Sequence, residues 1–343
     1  MNGQQPERAT RCAVPGFEWA RGTHMRDARA PMMARYRLAA EFPDAIHTPT
    51  GINELDEVVP FAPGRLVVVA GRQGAGKSAL GLQLARYVST SSPVLYLLTE
   101  MSLEEVVTRT VANAAHVDAW KLDKGAHDQT LADADRALEW LAEKSNLTFV
   151  ETHGGSISDV LGGIRAWHAA NPTARLLVID NLWGLFGTLG FKGGDSSGIV
   201  SQRLGLVTNK VASLAVELGL CIVLVHHLNR TGAPNQREEA QPDASQLGGS
   251  DHIGNWASSV LILRGRPQAK NEILNGAFPG DPTHDVYVVK NRGGKTDMKL
   301  GLRFIGSQLR FEGGAAAQPF DTAPAASARQ DEYRQALAAL PDW

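Results

Sequence analysis

The sequence predicts an α/β fold with a mainly parallel central sheet flanked by helices and antiparallel edge strands towards its C-terminus. Two observations carry this. Residues 66–70, 94–98, 175–180 and 220–225 are short continuous apolar runs, as strands buried on both faces require, and 147–151 offers a weaker one. Helical stretches at 78–88 and 206–218 alternate with them, which implies parallel pairing with crossovers on both faces. The runs at 260–263, 286–290 and 300–304 follow one another without a helical interval and supply the antiparallel edge.

At 343 residues, with 43% hydrophobic residues, the chain is long enough for one large α/β domain with appendages or for two small domains. Residues 1–47 form an N-terminal arm, 48–313 the α/β domain, and 314–343 an Ala/Pro/Gln-rich tail with a short helix at 327–340. Within the arm, 26–42 carries an imperfect apolar stripe of Met32, Met33, Tyr36, Leu38 and Phe42 and reads as a helix, either in a disordered leader or in an arm that docks on a neighbouring subunit. Seven Arg and three acids in the first 40 residues faintly suggest a transit peptide, but low Ser content and Glu7, Glu18 and Asp27 argue against one.

Lys and Arg total 34 against 36 Asp and Glu, a formal charge of -2, which excludes a broad nucleic-acid-coating surface and confines such binding to loops or a channel. Cys12 and Cys221 lie far apart, which fits a reducing cytoplasm without disulfide framework or zinc site; Cys221 reads as a core residue. No run of 18 apolar residues exists, so no membrane partner is expected.

Between the first strand and its helix stands Gly71-Arg72-Gln73-Gly74-Ala75-Gly76-Lys77-Ser78, followed by Ala79. This is the spacing of a phosphate-binding loop: glycines let backbone N–H groups turn inward, and the helix start adds its dipole. Lys77 can bridge the β- and γ-phosphates of ATP, and the Ser78 hydroxyl can ligate Mg²⁺. Asp180, ending an apolar strand, is placed to hold the same ion.

Glu100 follows the strand after the loop's helix, where a carboxylate can orient and deprotonate an attacking water; the rival is a solvated residue near a helix start, since Ser102 and Glu105 have N-cap spacing. His226 and His227 end another strand, and only one of two neighbours can face the nucleotide. They are a γ-phosphate sensor or plain polar loop residues. Lys290 and Arg292 follow the strand at 286–289, in a region from 264 to 310 with nine basic and four acidic residues. That region is either a solvated basic edge or a source of cationic fingers reaching a phosphate on the next subunit.

With these residues in place, the chain resembles the RecA-like C-terminal motor domain of DnaB-type replicative helicases, from about Thr48 to Glu312. Thr50-Gly51-Ile52-Asn53-Glu54-Leu55-Asp56 is similar to the family's lead-in to its first strand. Leu98-Thr99-Glu100-Met101-Ser102 resembles its Ser-Leu-Glu-Met-Ser, which implies a general base at Glu100, and Arg109 matches an Arg near the nucleotide. His226-His227-Leu228-Asn229-Arg230 resembles Ser-Gln-Leu-Asn-Arg and puts His227 at the phosphate-sensing position, where phage primase-helicases also use His. Val289-Lys290-Asn291-Arg292-Gly293 resembles Lys-x-Arg-x-Gly, whose Lys and Arg act across subunits.

The resemblance implies a helicase or translocase on single-stranded DNA, assembled as a homo-oligomer, a hexameric ring, with a primase or helicase loader as further partner. Residues 184–198 and 230–250 match loops that face DNA in the channel, with Lys192 and Arg237 as candidate contacts. Two departures, the lack of the ring-collaring N-terminal domain and of the family's acidic pattern near 247–252, point to a phage, plasmid or mobile-element relative. The alternative is a RecA-like regulatory or assembly ATPase that uses ATP as an oligomerisation switch and does not unwind DNA.

Overall fold

The computed structural model describes residues 25–41, 46–125, 127, 129–152, 156–187, 197–228, 242, 247, 251–266 and 283–313. Helix α1 (Met25–Glu41) covers the helix expected in the arm and belongs to a unit separate from the one that starts at His47.

The second unit is built on a nine-stranded sheet of order β3-β2-β4-β5-β1-β6-β7-β8-β9. Six strands are parallel: β1 (Leu66–Gly71), β2 (Val94–Leu98), β3 (Leu147–Glu151), β4 (Leu176–Asp180), β5 (Cys221–His227) and β6 (Ser259–Gly265). The antiparallel strands β7 (His284–Asn291), β8 (Met298–Ile305) and β9 (Arg310–Glu312) extend it beyond β6. β1, β2 and β4 are buried along their whole length, which is why they read as unbroken apolar runs, whereas β3 closes the sheet as a half-exposed edge.

Helices cover both faces. On one face lie α2 (Asn53–Val58), α3 (Lys77–Ser89) and α4 (Leu103–Ala115), whose Leu55, Leu80, Leu84 and Val106 pack with Val67, Val69, Val178 and Val223. The lead-in to α2 is tied down by Thr50, whose N–H donates to the Asp56 carboxylate at 2.9 Å. Short α5 (Ala119–Lys124) and α6 (Gln129–Lys144) add a satellite cluster on α4 through Ala114, Ala134 and Ala137.

On the other face lie α7 (Ile157–Ala170), α8 (Leu182–Gly187), α9 (Ser197–Leu218) and α10 (Asp251–Trp256), packed on Leu177, Ile179, Ile222 and Leu224. Ser156 and Asp159 cap α7 reciprocally, and Ser102 caps α4 by accepting from the Glu105 N–H at 3.2 Å. The glycine-rich stretch expected as a loop is helical at both described ends: Leu182 and Leu185 are fully buried in α8, and α9 starts at Ser197 instead of near 206. Tertiary burial overrides the glycines there. Cys221 is buried in β5, and burial pushes its thiol up to about 12. Among the described residues no helix is long and apolar enough to cross a membrane.

His116 closes α4 in the left-handed region, φ 57°. Burial, then the nearby Arg310 and Arg86 charges, pull its imidazole down to about 4 from 6.5. Between those values the folded chain binds fewer protons than the unfolded one, so stability present above pH 6.5 is lost as pH falls towards 4. The urea midpoint should therefore fall more steeply over that window in the wild type than in His116→Asn, which tolerates positive φ. Parallel pH profiles would refute the assignment.

Candidate functional site

Parallel pairing carries the C-terminal ends of β1, β2, β4 and β5 to one edge of the sheet. There Gly71 pairs with His227, and Leu98 with Asp180. The loop between β1 and α3 needs its glycines for two different reasons. Gly74 and Gly76 have φ of 78° and 84°, a conformation that strains a side chain. Gly71 approaches β6 so closely that a Cβ would sit 2.7 Å from the Leu263 carbonyl oxygen.

Lys77, the first residue of α3, is 5% exposed, and its Nζ donates to the Arg72 carbonyl at 2.9 Å. Burial lowers its pKa, while the charges of Asp180 and Glu100 pull it back up. Asp180 is 4% exposed, and burial raises its carboxyl above the ordinary range. Hydrogen bonds from Ser78 and Tyr96 and the Lys77 charge oppose that rise; Glu100 adds to it. The Tyr96 hydroxyl donates to Asp180 Oδ2 at 2.8 Å. A hydroxyl and a carboxylate at one helix start form an all-oxygen donor set, which suits a hard cation such as Mg²⁺.

Glu100 lies two residues beyond β2 with its side chain 55% exposed, and its Oε2 is 4.0 Å from His227 Nε2. Strand alternation separates the two histidines. Leu220, Ile222 and Leu224 face the α8–α9 layer, and His226 follows them, buried and stacked on Trp183 at 6.2 Å. Cys221 and Val223 face α3, and His227 continues that side.

Asn181 joins these parts. Its Oδ1 accepts from the Trp183 N–H at 2.8 Å, which orients the amide so that Nδ2 donates to His227 Nε2 at 3.3 Å. Thr99 holds the same residue from below: its Oγ1 accepts from Asn181 N–H at 2.7 Å and donates to Asn181 O at 3.1 Å.

The family described as DnaB-like helicase C terminal domain matches residues 48–313. The chain belongs to this family. Among curated relatives, the replicative DNA helicase DnaB of Haemophilus influenzae is 26% identical over 275 residues, 77% of this chain and 54% of that protein. The replicative DNA helicase DnaC of Bacillus subtilis is 26% identical over 273 residues, 78% and 57% respectively. The chain thus spans about half the length of the curated relatives it matches. A solved ATPase domain superposes with a TM-score of 0.69 at 21% identity, covering 83% of this chain and 98% of that one. A DnaB-like replicative helicase solved with its primase interactions gives 0.70 at 21%, covering 87% and 68%. The sheet and its helical layers are accordingly of the RecA-like ATPase kind, with antiparallel strands at the C-terminal edge.

The remaining DnaB-like positions lie apart from this cluster. Arg109, on α4, is ion-paired with Glu105, and its charge reaches the Tyr96 hydroxyl. Lys290 and Arg292 sit at the opposite edge of the sheet. Lys290 Nζ donates to the Gly254 and Asn255 carbonyls at 2.5 and 3.3 Å, and Arg292 Nη2 to Asn255 O at 2.7 Å. Burial, then the Arg292 charge, lower the Lys290 pKa. Lys192, Arg237 and Cys12 lie outside the described residues, as do most of 184–198 and 230–250; Leu247, which is described, is buried and bridges Leu228. Sequence reasoning missed Tyr96, Thr99 and Asn181. The available signal was a polar group inside or just after an otherwise apolar strand.

The Thr99–Asn181 clamp leaves no room for growth on α8. A Cβ on Gly184 would sit 2.0 Å from Thr99 Cβ. Gly184→Ala should lower stability by about 1–3 kcal/mol in chemical denaturation through overpacking; an unchanged midpoint would show that the close approach is not enforced.

Proposed function

We propose that this chain is an ATP-hydrolysing motor on single-stranded DNA that works in DNA replication as a ring-shaped homo-oligomer, a hexamer, with ATP sites between subunits. One observation carries this reading: Lys77, Ser78, Asp180, Glu100 and His227 converge at one edge of the sheet, while Lys290 and Arg292 stand at the other. Lys290 pairs with Val260, and Val260 with Val68, three residues before Gly71. That is about 10 Å along the strands and about 10 Å across them from the chain's own loop. The offset suits action on a neighbour's nucleotide.

The backbone of residues 71–79 would cradle the phosphates, with Lys77 against the β- and γ-phosphates. Ser78 and Asp180 are the residues fitted to hold Mg²⁺, which when bound would neutralise charge on those phosphates. Glu100 is exposed enough to meet a water and is assigned its activation, and His227, oriented by Asn181, the sensing of the γ-phosphate. Arg109 is assigned to the nucleotide's surroundings. Lys290 and Arg292 serve the next subunit as cationic fingers. Lys192 and Arg237 are assigned to DNA, and a primase or a helicase loader is the expected further partner; the primase contact is a property of one solved relative.

Steady-state ATP hydrolysis by the purified chain, with and without single-stranded DNA, tests the motor. DNA should stimulate it several-fold, and Glu100→Ala should cut the stimulated rate about 10²-fold or more. A rate indifferent to DNA would favour the regulatory ATPase instead. For the intersubunit site, Arg292→Ala should lower hydrolysis about 10³-fold with ATP binding nearly intact. Mixing it with Lys77→Ala should restore part of the rate, because a wild-type Lys77 and a wild-type Arg292 then meet at some interfaces. No recovery on mixing would place both residues in one subunit's site.

A further inference from the structure

The geometry points to Tyr96 as a positioning residue that orients the Asp180 carboxylate towards a divalent cation, an inference that rests on the nucleotide site proposed above. Tyr96 stands in the middle of β2, fully buried among Leu80, Val94, Leu98, Leu176 and Val178, with Phe149 tilted against its ring at 5.8 Å. A phenol hydroxyl in such surroundings is costly unless it is bonded. The sheet supplies the bond. Tyr96 pairs with Val178 across β2 and β4, so Asp180 is its diagonal neighbour on the same face, and the hydroxyl donates to Oδ2 at 2.8 Å.

Helix α3 is shaped to let this happen. A Cβ on Gly81 would meet the Tyr96 hydroxyl and Val178 at 3.4 Å each, so α3 packs directly over the phenol. Packed between that glycine and the strand, the ring has one place to put its hydroxyl. A donor fixed on Oδ2 sets the torsion of the carboxylate and leaves its other lone pairs to Ser78 and to a cation. Outer residues that orient a ligating carboxylate commonly change metal affinity about 10–100-fold.

The test compares wild type with Tyr96→Phe, which keeps the ring and removes only the donor. Binding of methylanthraniloyl-ATP is titrated by fluorescence in EDTA and against rising Mg²⁺. The half-saturating Mg²⁺ should rise about tenfold, while affinity in EDTA stays within about twofold of wild type. In an Asp180→Asn background the same change should have no further effect on the Mg²⁺ dependence. An equal loss of affinity in EDTA would make the hydroxyl a support of the fold and overturn the inference, as would a Phe variant that matches a Mg²⁺-dependent wild type. A wild type that binds the analogue equally with and without Mg²⁺ would overturn the Mg²⁺ role of Asp180 and that of Tyr96 with it, whereas a wild type that does not bind the analogue at all would overturn the nucleotide-site reading itself.

Discussion

The rest of this structure depends on keeping two opposite charges, Lys77 and Asp180, out of water at the C-terminal edge of a parallel sheet. Each is about 95% buried, and desolvation is the largest influence on both, driving each towards its neutral form. What keeps them charged is mutual and local: each feels the other's field, and Asp180 accepts from Ser78 and Tyr96. Buried charges are tolerated only where such partners are held in place. The apolar strands β1, β2 and β4, the glycine turn and α3 are the frame that holds them.

The frame also divides the molecule's chemistry between two edges. A parallel sheet has one edge where all strands end, and the loop, Glu100, Asp180 and His227 share it. The antiparallel strands at its end return the chain to the opposite edge and present Lys290 and Arg292 on the carbonyl end of α10. Asn181 links the two faces of this edge, since it touches His227 on one and the start of α8 on the other.

Much of this was legible in the residues themselves. The buried strands announced themselves as continuous apolar runs, because a strand covered on both faces has no polar side to show. The Ser102 cap and the glycine loop carried their geometry in their spacing. Helix α7 carried equally local signals, Ser156 and Asp159 at its start and Ile157, Leu161 and Ile164 at helical spacing, but is absent from the sequence reading. Its reciprocal cap uses Asp, a less familiar signal than Glu at that place. The start of the 184–198 stretch differs for the opposite reason: its glycines suggest a loop, and burial of Leu182 and Leu185 makes a helix over Leu182–Gly187.

The sequence by itself determined the buried strands, the phosphate-loop spacing and the family resemblance, because these rest on local pattern and backbone preference. Apart from that resemblance, it left open which histidine turns to the α3 side, which groups orient Asp180 and Asn181, and that Lys290 lies far from its own chain's loop. Those were decided by pairing register: Gly71 opposite His227, Tyr96 diagonal to Asp180, Lys290 opposite Val260. Register is a property of two strands distant in sequence, and a slip of one residue would turn each of these side chains to the other face. Only the packed sheet settles it.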